Sequence, residues 1–176
     1  MPGMTVIKFE EIKVGESQLK SHPGKSGWLE IQDFSWDIES ETSFLKGAGA
    51  SVGKATPGSL SITHHFDMSS PTIMTKIVEG TFFKNVWLLS LKQTGKAEGE
   101  VFFGMHMANV FMTKVSTKGG EDGSVTQDVE MVFKTCAIGY KPQTEAGGGL
   151  GKQIDFMWDI GQMSTAGLTV ANLGTT

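Results

Sequence analysis

Two long runs constrain this chain more than anything else in it. "FFKNVWLLSLK" (Phe82–Lys92) is apolar at both odd and even positions, and "VFFGMHMANVFMTKV" (Val101–Val115) nearly so. Successive side chains on a strand point to opposite faces, so strands of this kind need cover on both sides. A small closed barrel fills its interior from one face only. The other face has to meet a helix or another subunit, which points towards an oligomer.

The remaining strand patterns are simpler. "TVIKFEEI" (Thr5–Ile12) alternates. "WLEIQDFSWDIE" (Trp28–Glu39) sets Phe34, Trp36 and Ile38 on one face against Asp33, Ser35, Asp37 and Glu39. "SLSITHHF" (Ser59–Phe66) groups Leu60, Ile62, His64 and Phe66 against Ser59, Ser61, Thr63 and His65. "VTQDVEMVFKTCAIGY" (Val125–Tyr140) turns Val129, Met131 and Phe133 inward and Asp128, Glu130 and Lys134 outward, and "KQIDFMWDI" (Lys152–Ile160) is one more strand.

One helix interrupts the series. In "SSPTIMTKIVEG", Ser70 suits the N-cap, Pro71 the first helical position and Gly80 the end. Ile73, Met74, Ile77 and Val78 form an apolar stripe that packs on the core. Glycine-rich loops span Ser43–Gly58, Lys118–Ser124 and Thr144–Gly151. The first lacks a clear pattern and is long for a compact domain, as functional loops are. The expected fold is mainly β: a small β-barrel of about seven to nine strands with one flanking α-helix. It forms a single domain over residues 1–163, followed by a C-terminal tail at 164–176.

Charge narrows the partners. Net charge is −4, and all 15 basic residues are lysines. Without guanidinium forks, a nucleic-acid binder or an anionic-cofactor enzyme is disfavoured. Cys136 is the only cysteine, so no intrachain disulfide and no thiolate metal site is expected. The start "MPGMTVIKFEEIKVGE" lacks the apolar core of a secretory signal, and no run of about 18 apolar residues is present to span a membrane. The expectation is synthesis in the cytoplasm and, if the protein is exported, a route independent of a signal peptide.

Chemistry is scarce. His64 and His65 are two of 4 histidines. Neighbours on a strand face opposite ways, so they cannot share one ion. His64 then belongs to the apolar face as a hydrogen-bonded core or interface residue, and His65 to the polar face with Thr63 and Asp67. His22 and His106 show no ligand spacing to either. "PGKSG" (Pro23–Gly27) echoes a phosphate loop, but Leu19 stands where its first glycine belongs. No GxSxG elbow is present, and Cys136 sits mid-strand. No catalytic residue, cofactor or metal ligand is expected.

The order of landmarks carries more. "GES" (Gly15–Ser17), His22, "WLEIQDFSW" (Trp28–Trp36), a glycine-rich excursion and "LSITHHFDMSSPTIM" (Leu60–Met74) follow one another. "GGEDGSVTQDVEMVFKTCAIGYKPQ" (Gly119–Gln143) and "MWDIGQ" (Met157–Gln162) complete the series. Taken together they resemble the Hcp (haemolysin-coregulated protein) family, the inner-tube protein of type VI secretion systems. The resemblance covers nearly the whole chain. It departs where the family often has a lysine–aromatic pair and this chain has His64 and His65, and in the missing arginines.

The resemblance implies hexameric rings stacked into a hollow tube. The tube lies inside a contractile sheath under a valine-glycine-repeat spike and is expelled with effectors held in its lumen. It implies that the Ser43–Gly58 excursion is the family's extended loop, with Phe44, Leu45, Lys46, Gly47, Gly49 and Val52 as ring or stacking contacts. It also implies that Ser35 faces the lumen as a cargo contact. The partners are then other copies, sheath, spike and effectors, with no nucleic acid and no membrane. Two other classes compete: a small-molecule-binding barrel with a pocket around Trp87, Phe103 and Met105, and a hydrolase using His64 or His106 as base.

Overall fold

The computed structural model describes residues 3–45, 49–94, 99–144 and 149–165, with backbone alone over 42–45 and 49–52. The strands are β1 (Met4–Phe9), β2 (Trp28–Ile31), β3 (Asp33–Ser35), β4 (Ile38–Leu45), β5 (Gly49–Pro57), β6 (Leu60–His65), β7 (Phe82–Lys92), β8 (Glu100–Gly119), β9 (Val125–Tyr140) and β10 (Ile154–Asp159). Helix α1 (Ser70–Glu79) lies between β6 and β7.

The main sheet runs in the order β2-β1-β7-β8-β9-β6-β3, with β10 added on β9. Every pairing is antiparallel. β2 and β3 stand at opposite ends of this order, yet only Gln32 separates them in the chain. Leu29 pairs with Ile7 on one side and Phe34 with Ile62 on the other, while the Gln32 N–H donates to the Thr63 carbonyl at 2.8 Å. The sheet therefore curls round on itself, and residues 28–35 close it into a barrel. β9 shares one edge between two partners: its first half pairs with β6 and its last six residues with β10.

Inner positions of the strands fill the barrel. Phe9, Leu29, Leu60, Ile62, Phe83, Val86, Leu88, Met107, Val129 and Met131 are all sealed from solvent. Burying each contributes roughly 1.5–3 kcal/mol relative to leaving it exposed. Phe34 stacks on Phe103 at 5.7 Å and Trp36 tilts onto Phe133 at 5.5 Å.

Four expectations change. The outer face of β1 and β7 does not meet the helix where Val6, Leu89, Leu91 and Val101 lie. Leu19, from the segment leading into β2, and Trp28 of β2 pack over them. The helical stripe is only half core: Ile73 is buried and Ile77 packs inward, but Met74 is 40% and Val78 85% exposed. The run Trp28–Glu39 breaks into three strands, and Ile38 starts a separate hairpin in which it is exposed. The patternless excursion Ser43–Gly58 is mostly that hairpin. β4 and β5 form their own sheet, from Ile38↔Pro57 to Leu45↔Gly49, irregular between Ser40 and Thr42. Its Ser, Thr, Ala and Gly residues give no apolar–polar contrast, which is why periodicity misses it.

The helix ends lie within one residue of the expected positions. Ser69 rather than Ser70 is the N-cap, and Gly80 closes the helix in the left-handed region at φ 67°, its N–H reaching the Ile77 and Lys76 carbonyls. That conformation suits a residue without Cβ.

Candidate functional site: a hydrophilic wall around Ser35

The register of four strands gathers one polar surface. Across β3, β6, β9 and β8, Asp33 stands beside Thr63, Asp128 and Ser116, and Ser35 beside Ser61, Glu130 and Lys114. His65, Thr126 and Lys118 make the next row. These residues alternate with buried Ile62, Val129 and Met131, so all of them stand on the barrel's outer side. Ser35 and Asp33 are exposed.

Hydrogen bonds knit the middle of the wall. The Thr63 hydroxyl donates to Asp128 Oδ1 at 2.7 Å, and Lys118 Nζ lies 2.6 Å from Asp128 Oδ2. The Lys118 ammonium, helped by Thr63, holds the Asp128 carboxyl below its ordinary range. The side-chain amide of Gln32 lies 2.8 Å from Nε2 of His65. At the rim, the Ser124 hydroxyl and N–H both donate to Asp122 Oδ1, at 2.7 and 3.1 Å, and lower its pKa. Such a surface offers donors and acceptors on all sides and presents no apolar group between Ser35 and Lys118.

The histidine pair divides as alternation requires. His64 is 1% exposed and bonds Gln127 Oε1 at 2.7 Å inside the barrel, whereas His65 stands on the wall. His106 lies on the outer face elsewhere, stacked on Trp87 at 5.2 Å, with its Nε2 2.8 Å from Asn85 Oδ1. Among the described residues no three His, Cys, Asp or Glu side chains gather to hold a metal ion. Trp87, Phe103 and Met105 do not line one pocket. Met105 is in the core and Phe103 packs against it, while Trp87 faces out beneath the Lys8 ammonium.

Of the residues expected at ring contacts, Phe44, Leu45, Gly49 and Val52 lie on the β4–β5 hairpin, where Phe44 pairs with Ala50, Leu45 with Gly49 and Thr42 with Val52. Lys46 and Gly47 lie outside the described residues. The partners of Ser35 on the wall were missed as a group. The polar sets of β6 and β9 were each visible, but the register that joins them is a long-range property.

A closed antiparallel barrel with one docked helix, a projecting hairpin and a hydrophilic outer wall defines the class of protein this is. The family model described as "Type VI secretion system effector, Hcp" matches residues 6–140. Protein hcp1 of Pseudomonas aeruginosa is 29% identical over 158 residues, covering 89% of this chain and 94% of that protein. The solved structure of a type six secretion system protein superposes with a TM-score of 0.83 at 23% identity, covering 93% of this chain and 99% of the other. Hcp1 of Salmonella typhimurium does so at 0.74 and 21%, covering 94% and 100%. This chain belongs to the Hcp family of type VI secretion proteins.

Proposed function

We propose that this chain is the repeating unit of a type VI secretion tube. Copies close into hexameric rings, the rings stack into a hollow conduit inside the contractile sheath and under the spike, and the wall around Ser35 faces the lumen. Effectors rest against that wall and leave the cell with the tube, by a route that uses no signal peptide. The role is structural, without catalysis.

The observation that carries this is the family match over residues 6–140. The wall suits the task chemically: cargo finds hydrogen-bonding groups across the rows of Ser35, Asp33 and His65. The β4–β5 hairpin supports it too. Two strands alone are marginal in water, and a neighbouring copy would supply the missing packing.

Negative-stain electron microscopy and sedimentation test the proposal. Ring-shaped particles with an open centre are expected, and a monomer at high concentration overturns it. Within assembled rings, Ser35→Trp is expected to abolish effector co-purification while rings persist; undiminished co-purification removes Ser35 from the cargo wall.

A further inference from the structure

The charges on the wall are unevenly placed. In its rows stand three carboxylates, Asp33 on β3 with Asp128 and Glu130 on β9, and two lysines, Lys114 and Lys118 on β8. Both lysines serve β9. Lys118 Nζ lies 2.6 Å from Asp128 Oδ2, and Lys114 is the register partner of Glu130. Lys118 first, then Thr63 and Lys114, hold the Asp128 carboxyl below its ordinary range.

Asp33 has no such cover. Between it and the lysines lie β6 and β9, so β3 and β8 are three strand spacings apart. At about 4.8 Å each, that is about 14 Å along the sheet, against a screening length of about 8 Å at physiological salt. Asp33 makes no ion pair among the described residues. Its carboxylate is therefore the unbalanced charge of the wall.

The hydrogen bonds around it point the same way. Thr63, the register partner of Asp33, gives its one O–H to Asp128 at 2.7 Å, so its oxygen has only lone pairs left to offer. The Gln32 side-chain amide is turned to His65 Nε2 at 2.8 Å. Ser35 stands on the same face as Asp33, about 7 Å along β3, and both are exposed. A group resting on Ser35 thus reaches a carboxylate without a counter-ion, beside an oxygen that can only accept. Ammonium and guanidinium groups, which only donate, fit that place.

We infer that Asp33 sets the cargo preference of the wall, favouring effectors that present lysine or arginine where they meet Ser35. This rests on the lumen reading above, under which every copy in a ring repeats the carboxylate around the conduit. Asp33 is then a specificity-determining residue, and Asp128 and Glu130, already neutralised by lysines, are not.

Assembled rings carry the test, with two fluorescent peptides as probes, one of alternating lysine and serine and one of alternating glutamate and serine. Fluorescence anisotropy at low salt reads their binding, and electron microscopy checks that each variant keeps its rings. The lysine peptide is expected to bind wild type more tightly than the glutamate peptide. Rings of Asp33→Asn are expected to bind it about two- to fivefold more weakly, the scale of one exposed ion pair. Rings of Asp33→Lys are expected to prefer the glutamate peptide, a reversal that a merely structural role would not produce. Unchanged lysine-peptide binding in Asp33→Asn, or an equal loss of both peptides, overturns the assignment of Asp33. Ser35→Trp rings are expected to lose the lysine peptide. If they hold it as wild type does, the contact lies off the wall and the cargo reading of that surface falls, so the two failures are distinguishable.

Discussion

Nε2 of His64 lies 2.7 Å from Oε1 of Gln127, and the two side chains are register partners on β6 and β9, sealed inside the barrel. With Nε2–H donating to Oε1, Nδ1 of His64 and Nε2 of Gln127 have no hydrogen-bond partner among the described residues. The pair makes one hydrogen bond and carries two unmet polar atoms. Gln127→Leu is expected to cost about 1–3 kcal/mol, because it leaves the whole imidazole unpartnered. Adding His64→Leu is expected to restore most of that loss. Urea midpoints of wild type, single and double variants decide it; a double variant less stable than the single one contradicts the account.

The wall predicts an acid-sensitive contribution. Asp128 has its pKa lowered in the folded state, first by Lys118 and then by Thr63. A depressed carboxyl contributes stability that is complete above its unfolded pKa, about 4, and lost as pH falls through the folded value. Unfolding midpoints of wild type are expected to drop below about pH 4 more steeply than those of Asp128→Asn. Parallel curves for the two proteins would show that the pair does not couple to folding.

Helix α1 depends on a residue outside it. Asp67 Oδ1 accepts the Ser69 N–H at 2.9 Å and the Ser69 hydroxyl, and the Asp67 N–H donates to Ser70 Oγ at 3.0 Å. Both serines are buried, so their hydroxyls have no water to fall back on. Asp67→Ala is expected to cost about 1 kcal/mol and Asp67→Asn clearly less, read as shifts in thermal midpoint. Equal losses in the two variants would assign the effect to charge rather than to the hydrogen bonds.

Cys136 is buried opposite Trp158 on β10, and burial pushes its thiol up to about 11. The folded protein is expected to resist a thiol reagent at pH 8 and to react fully in denaturant. Prompt labelling of the folded chain would show that β10 detaches readily. Because the folded value is raised, the associated stability is full below the ordinary thiol pKa and declines as pH rises towards 11.

Much of this architecture is legible in the residues themselves. The bounds of β7 and β9 follow from apolar runs ending at Lys92 and Tyr140, and Gly80 marks the end of α1. His64 and His65 separate by alternation alone. What stays hidden depends on contacts distant in sequence. Nothing near Gln32 announces that its N–H reaches Thr63 and splits one strand into two roles. Leu19 sits in an unpatterned stretch, yet it covers the second apolar cluster. The wall's membership required knowing that Ser35 lies level with Ser61 and Glu130, and register is fixed only when the whole sheet forms.

The closing stretch 28–35 has a bearing on how the protein is made. Thr5 and Ser90, 85 positions apart, touch through their hydroxyls because β1 is held between β2 and β7. A nascent chain thus exposes its first strand long before its second neighbour is synthesised, and β6 in turn waits for β9, with Thr63 and Asp128 65 positions apart. Non-local pairing of this kind folds slowly. The hoop cannot shut until translation has passed Met131, so a truncated product ending after β8 would keep β6 without its β9 edge.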